Sequence, residues 1–461
     1  MTTHSVNYRH IFAAPGAALV AFLLAYYLAA MPAPAAYTLA VTLWVAWWWI
    51  SEALPLPVTS LLPFILLPLG GVLSESASLS ALGNPIILLF MGAFMLAKAV
   101  EHSGVHKRIA LGLIRLIGAG SGRRVIFSFM TATAVLSMWI SNTAAVLALL
   151  PVALALADAC DNKSFQRALL LGLAYSASVG GVATLVGTPP NLIFASVYQT
   201  TTGQTFGFLQ WMTIGVPLVI ISIPIMAWWL SRHVRHHINL QLPPVEAISS
   251  AEKRVLLIFA TVILLWVFRT APFGGWINWL QLPAIGDATV ALAGVVAMFV
   301  VRDKHGQPLL TWQLASTIPW GILLLFAGGI TLAQGFMSSG LSTIIGTSLN
   351  DLTMLPTWLL VVTIALIVSF LTEVTSNTAT ATLLMPVMAA TGVALGLPVE
   401  VLMITAAIAC SCAFCLPVAT PPNSIVFAAD RITIKEMVRE GLVLNVILAV
   451  VTTVVVMLLV V

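Results

Sequence analysis

Long apolar runs make up most of this chain, and the polar interruptions within them come in pairs. Residues 139–152 read WISNTAAVLALLPV and residues 374–387 read VTSNTATATLLMPV, each with a Ser-Asn-Thr triplet and a proline ten residues after the Ser. A bilayer-spanning helix needs about 20 mostly apolar residues. Segments of that kind fall at 11–31, 36–51, 54–73, 84–101, 165–200, 205–231, 252–271, 285–301, 318–338, 398–428 and 440–461. The paired segments within 122–160 and 355–395 carry the triplets and are read as re-entrant hairpins, not spans. The expected fold is an all-α polytopic membrane protein with about 11 transmembrane helices and two re-entrant helical hairpins. The first segment has the basic start of a signal peptide, but its 21-residue apolar run is long for one and many spans follow, so it is read as the first helix.

The pairing extends beyond the triplets. Residues 88–104, LLFMGAFMLAKAVEHSG, align with 324–340, LLFAGGITLAQGFMSSG, at an offset of 236; the triplets align at 235, and GTPPN at 187–191 aligns with ATPPN at 419–423 at 232. The repeated unit is therefore an apolar helix, a Ser-Asn-Thr hairpin and, about 45 residues later, a Thr-Pro-Pro-Asn break. The expected units are an N-terminal helix (1–35), a first repeat (36–235), a cytoplasmic linker (236–251) and a second repeat (252–461). Five spans in the first repeat make the second enter from the opposite face, so the repeats are inverted.

Composition removes whole classes of function. With 60% hydrophobic residues, 7% charged residues and a mean hydropathy of +1.06, the chain belongs in lipid. The net charge of +4 reflects topology, not nucleic acid, because the loops are short and the basic residues sort by side. If the hairpins dip in and return, Arg9, Lys98 and all later basic residues except Arg269 lie on one face. By the positive-inside rule that face is cytoplasmic, with the N-terminus. The odd number of spans puts the C-terminus on the periplasmic side of a bacterial-type inner membrane.

Non-helical backbone at membrane depth survives only where protein buries it or where it lines a cavity. Consecutive prolines remove two donors and break a helix, so Thr188–Asn191 and Thr420–Asn423 should be unwound. Ser, Asn and Thr favour turns and N-caps, which suits the triplets to hairpin tips. Four breaks could meet at one midplane site offering amides, hydroxyls, free N–H groups and carbonyls, but no Lys, Arg or His. Helix N-termini suit carboxylate or sulfate oxygens. Carbonyl ends and hydroxyls suit a small hard cation such as Na⁺, a natural counter-charge for a dianion without a basic partner. A single Ser-Asn-Thr in a membrane helix reads as interhelical hydrogen-bonding glue. Two copies in inverted repeats, each followed by Thr-Pro-Pro-Asn, favour a site.

Other polar residues have two readings each. Glu373 beside the second triplet is either a hairpin strut or a proton-coupling acid. Glu52, at the cytoplasmic end of its helix, is a structural or gating contact. His233, His236 and His237 could bind metal or anchor the interface, and no carboxylate or Cys completes a metal set. Cys410, Cys412 and Cys415 read as reduced buried thiols on the helix before the second break, cytoplasmic Cys160 implies no disulfide, and Trp47–Trp49 read as an interface belt. H-E-x-x-H, G-x-S-x-G and Walker sequences are absent, which leaves an intramembrane hydrolase or ATP-driven pump without supporting residues.

From WISEALPLPVTSLLP at 49–63 through both triplets to SCAFCLPVATPPNSIV at 411–426, the chain resembles the divalent anion:sodium symporter family. Ser411, Phe414, Pro417, Val418, Ala419, Asn423, Ile425 and Val426 carry its signature. The resemblance implies a homodimer with a scaffold part and a transport part that moves as an elevator. It implies a first Na⁺ site at Ser137, Ser141, Asn142 and the Gly187 carbonyl, and a second at Thr372, Thr375, Asn377 and the Ala419 carbonyl. Substrate carboxylates would meet Asn142, Thr143, Asn377 and Thr378, with Thr188, Pro189, Thr420 and Pro421 lining the same cavity. The implied activity is import of C4-dicarboxylates such as succinate, malate or fumarate with Na⁺. The alternatives are citrate or sulfate as cargo, sodium-independent dicarboxylate exchange, and an anion channel.

Overall fold

The computed structural model describes residues 8–118, 120–160, 162–234, 247–272, 274–348 and 355–461. His236, His237 and most of the expected 236–251 linker lie outside them. In the first half run α1 (Tyr8–Leu23), α2 (Ala33–Ser51), α3 (Leu56–Thr59), α4 (Leu62–Leu69), α5 (Glu75–Leu79), α6 (Pro85–Ser103), α7 (Val105–Ile117), α8 (Gly122–Ser137), α9 (Asn142–Asp158), α10 (Lys163–Gly180), α11 (Pro189–Thr202) and α12 (Phe208–Ser231). The second half holds α13 (Ser250–Val267), α14 (Gly275–Trp279), α15 (Asp287–Val300), α16 (Trp312–Ala315), α17 (Trp320–Ser338), α18 (Leu341–Ser348), α19 (Thr357–Thr372), α20 (Asn377–Ala394), α21 (Val399–Ala409), α22 (Pro421–Phe427) and α23 (Ile434–Leu459).

Among the described residues, six helical stretches are long and apolar enough to cross a bilayer: 9–28, α2, 75–103, α12, α17 and α23. The segment read as one span over 54–73 is instead two short helices, α3 and α4, because Pro55, Pro57, Pro63 and Pro68 interrupt it. Local chemistry sets the other boundaries. The Asn84 side chain accepts from the Ile86 N–H at 2.8 Å to start α6, and Gly104, at φ 80°, ends it. Ser249 and Glu252 close a capping box on α13, and Thr433 and Glu436 do the same on α23.

Five helices fall outside the segments read from the sequence: the short α5, α14 and α16, and α7 and α18. α7 and α18 follow Gly104 and Gly340 in corresponding places of the repeats. α7, VHKRIALGLIRLI, buries Val105, His106, Ala110 and Ile114, exposes Lys107 and Arg115, and pairs Arg108 with Glu252 of α13 at 3.0 Å, the pattern of a helix lying along a membrane surface.

The first halves of the two broken helices form the centre of the molecule. Residues 168–180 of α10 and all of 401–409 in α21 are buried, and α10 packs against α8, α9, α12 and α22. Outer faces of α12 and α23 expose Ile220, Trp228, Val450 and Leu458, as lipid contact requires. The tryptophan belt is narrower than expected. Trp47 is exposed, but Trp49 is buried and donates to Ser60 Oγ at 3.2 Å, and buried Trp48 donates to the His10 carbonyl at 3.2 Å.

Candidate functional site

Each triplet sits where one hairpin helix stops and the next starts. Ser141 is the N-cap of α9, its hydroxyl accepting from the Ala144 N–H at 3.2 Å, so Asn142 and Thr143 open that helix. Ser376 stands in the same place before α20, with Asn377 and Thr378 at the helix start. Thr188 and Thr420 are the N-caps of α11 and α22, so the Pro-Pro-Asn residues expected to be unwound instead form the first turn of each helix, where proline's missing N–H costs nothing. Before them the backbone unwinds: a 3₁₀ turn at Gly181–Ala183 and an irregular stretch to Gly187 in the first repeat, and residues 410–420 in the second. The unwound second stretch holds Cys412 and Cys415, with Cys410 at the end of α21, so these thiols lie in the break instead of on the helix before it.

The four helix starts converge on one cavity of about 490 Å³. Ser141, Asn142, Thr143, Gly187, Thr188, Pro189, Thr375, Asn377, Thr378, Ala419, Thr420 and Pro421 line it. Ala93, Phe94 and Ala97 of α6 and Ile322 of α17 form the facing wall. Ile50, Glu52 and Pro319 also line it, from the C-terminal end of α2 and the start of α17, the latter preceded by a loop that carries Arg302 and Lys304. Glu52, in the left-handed conformation at φ 48°, is the one charged residue among the lining residues. A cavity walled by hydroxyls, amides and helix N-termini offers an anion its donors but no fixed counter-charge, which mobile cations can supply.

Ser137 and Thr372 do not line the cavity; they lie buried behind the tips in matching roles. Ser137 Oγ is 2.6 Å from Asn142 Oδ1 and 2.6 Å from the Ala177 carbonyl. Thr372 Oγ1 is 2.7 Å from Asn377 Oδ1 and 3.3 Å from the Cys410 carbonyl. One hydroxyl proton faces two acceptor oxygens in each case, an oxygen-rich and proton-poor cluster of the kind a small cation fills. Thr375 differs from its counterpart Ile140: its hydroxyl reaches the Leu371 carbonyl at 2.8 Å and Thr380 Oγ1 at 2.6 Å. The hydroxyls of Thr143, Thr188 and Thr378 make no hydrogen bond among the described residues and face the cavity.

The sequence reading missed what holds the breaks open. Asn191 Nδ2 donates to the Gly181 carbonyl at 3.1 Å and the Thr184 carbonyl at 2.7 Å; Asn423 Nδ2 donates to Ala413 and Leu416, both at 3.0 Å. The Asn of each Thr-Pro-Pro-Asn is thus a brace, and its recurrence at offset 232 was the available signal. Gly181 was also missed. A Cβ there would come 2.8 Å from Asn142 Oδ1 and 3.0 Å from the Gly187 carbonyl, so the bare backbone leaves open space between two expected cation ligands. A Cβ on Gly187 would collide with the Gly181 carbonyl, so this glycine is required where its counterpart is Ala419.

A membrane chain, helical through its described residues, whose two hairpin tips and two broken helices meet at one polar cavity has the architecture of a polytopic membrane transporter. Two solved structures share the fold. The Alcanivorax borkumensis YdaH transporter aligns at TM-score 0.56 and 15% identity, over 85% of this chain and 88% of its own. Neisseria gonorrhoeae MtrF, described with a class of antimetabolite efflux pumps, aligns at 0.58 and 15%, over 83% and 82%. The chain belongs to the citrate transporter family, whose pattern matches residues 46–409. It is 38% identical over 447 residues to the sodium-dependent dicarboxylate transporter SdcS of Staphylococcus saprophyticus, covering 91% of this chain and 85% of that protein. Staphylococcus aureus SdcS is 39% identical over 452 residues, covering 92% and 86%. These relatives bear out the family resemblance carried by the triplets and by residues 411–426, and none of them is described as an enzyme.

Proposed function

We propose that this protein imports C4-dicarboxylates such as succinate, malate or fumarate across a bacterial inner membrane together with Na⁺. The observation that carries the reading is the single cavity where both triplets and both Thr-Pro stretches meet without a basic residue. A dianion held there needs counter-charge, and the oxygen clusters behind each tip are where Na⁺ would supply it. The relatives described as sodium-dependent dicarboxylate transporters support both halves. The first cation is assigned to Ser137, Ser141, Asn142 and the Gly187 carbonyl, the second to Thr372, Thr375, Asn377 and the Ala419 carbonyl. Substrate carboxylates are assigned to Asn142, Thr143, Asn377 and Thr378, with Thr188, Pro189, Thr420 and Pro421 closing the wall.

In this reading the hairpins and broken helices form the moving part of an elevator, and the early helices of each repeat form the scaffold of a homodimer. With the basic loops cytoplasmic, the cavity end near Glu52 and Pro319 is assigned to the cytoplasmic side.

Reconstituted vesicles test the proposal. An inward Na⁺ gradient should drive uptake of radiolabelled succinate, and choline in its place should not. Uptake that needs only internal dicarboxylate and no Na⁺ would replace symport by exchange. Flux that never saturates would replace a transporter by a channel. Citrate is the second reading, favoured by the family description; competition against labelled succinate by citrate and by sulfate ranks the cargoes.

A further inference from the structure

Glu373 is 4% exposed, does not line the cavity, and is the most heavily hydrogen-bonded carboxylate among the residues near the breaks. Its Oε1 accepts from the backbone N–H groups of Phe414 at 2.7 Å and Cys415 at 2.8 Å and from Asn445 Nδ2 at 2.8 Å. Its Oε2 accepts from the Leu416 N–H at 3.1 Å. Three successive amides cupping an anion form a backbone nest, and all four donors are neutral. The carbonyl side of the same arc is held separately, Phe414 by Tyr175 Oη at 2.6 Å and Ala413 and Leu416 by Asn423.

The first repeat has no such group. Met138 stands where Glu373 does, and contributes only its carbonyl, which accepts from Thr184 Oγ1 at 2.6 Å. Val219 stands where Asn445 does, counting from Gly215 and Gly441, which pack on the matching Val182 and Phe414 carbonyls; the Val182 carbonyl accepts instead from the Trp211 indole at 2.7 Å. Two breaks with the same task are thus braced differently, and only the second has a buried carboxylate in the same turn as two expected cation ligands, Thr372 and Thr375.

We propose that Glu373 is the positioning residue of the second cation site: it holds the 414–416 arc so that the Ala419 carbonyl faces Thr372, Thr375 and Asn377. Its fixed negative charge makes that site the tighter of the two for Na⁺. The inference rests on the sodium-coupled reading above. The carboxylate receives donors on both oxygens, is shut off from the cavity, and faces the Cys412 and Cys415 thiols and the Tyr175 phenol as its ionisable neighbours.

The test measures Na⁺ and succinate half-saturation separately in reconstituted vesicles. Glu373→Gln removes the charge and sets its amide against the Leu416 N–H. It should raise Na⁺ half-saturation about tenfold, the scale of one charge-assisted hydrogen bond. Succinate half-saturation at saturating Na⁺ should change by less than about twofold on the same scale, and the pH profile should keep its wild-type shape. Asn445→Ala, which removes one donor, and Glu373→Asp, which keeps the charge on a shorter stem, should give smaller shifts in the same direction. They decide the matter if the Gln variant does not fold. Wild-type Na⁺ half-saturation in these variants overturns the inference alone, as does a shifted pH profile in Glu373→Gln. A wild type indifferent to Na⁺ overturns the functional reading, and this inference with it.

Discussion

At the scale of single residues, the two repeats match where oxygens gather and differ where backbone must approach backbone. Ser137 and Thr372 were legible in the sequence because each lies four residues before its triplet Ser, one helical turn away. Gly181 was not legible, since a glycine beside another glycine in an apolar run reads as helix packing until the Gly187 carbonyl is seen across from it. Its role gives a direct prediction. Gly181→Ala puts a methyl 2.8 Å from Asn142 Oδ1 and 3.0 Å from the Gly187 carbonyl, inside the first cation cluster but on no contact of the second. Na⁺ half-saturation should rise roughly tenfold, equivalent to about 1.4 kcal/mol, and the cooperativity of Na⁺ dependence should fall. Ala413→Gly, at the matching place of the second repeat, only removes a methyl and should transport with unchanged Na⁺ cooperativity. Unchanged Na⁺ dependence in Gly181→Ala would move the first cation away from Asn142 and Gly187.

At the scale of elements, hairpins and broken helices were legible because prolines and polar triplets stand out against apolar runs. The helices α7 and α18 were not, because α7 is amphipathic and α18 has only eight residues, so neither scores as a span. The ties between elements were equally invisible, since they join residues far apart in sequence. Glu440 on α23 is 2% exposed and takes both nitrogens of Arg232, at 2.8 and 3.1 Å, while Arg167 of α10 approaches at 3.9 Å. The Arg232 guanidinium also lies 3.7 Å over the Trp229 ring. These contacts clamp α10, the end of α12 and α23 at the side where basic residues cluster. Removing one partner of a buried pair strands the other charge, at a cost of about 3 kcal/mol. Glu440→Ala should therefore lower the thermal stability of the detergent-solubilised protein sharply. Lys98→Ala breaks a half-exposed i,i+3 pair with Glu101 and should change it by at most about 1 kcal/mol. Equal stability losses in the two variants would show that the Glu440 cluster is not a clamp.

At the scale of the whole molecule, everything directional follows from which face is cytoplasmic: the way the cavity opens, the sense of import and the side on which α7 lies. The sorting of basic residues was visible in the sequence, but it depends on treating both triplet segments as hairpins, because one extra span would invert all that follows. The helices support that treatment. α8 and α9 meet at Ser141, and α19 and α20 at Ser376, each pair with its turn against the cavity instead of at a far surface. A native thiol provides the test. Cys410, Cys412 and Cys415 are buried, whereas Cys160, just past the end of α9, is only partly covered. In the hairpin arrangement Cys160 returns to the same side as Arg123 and Arg124 at the start of α8. A membrane-impermeant maleimide should therefore label Cys160 in inverted vesicles and leave it unlabelled in right-side-out ones. Labelling after denaturation would show that the reagent reacts with the thiol once it is exposed. Labelling from the periplasmic side would require α8 and α9 to cross the membrane as a single unit. That would reverse every segment after α9 and overturn the hairpin arrangement.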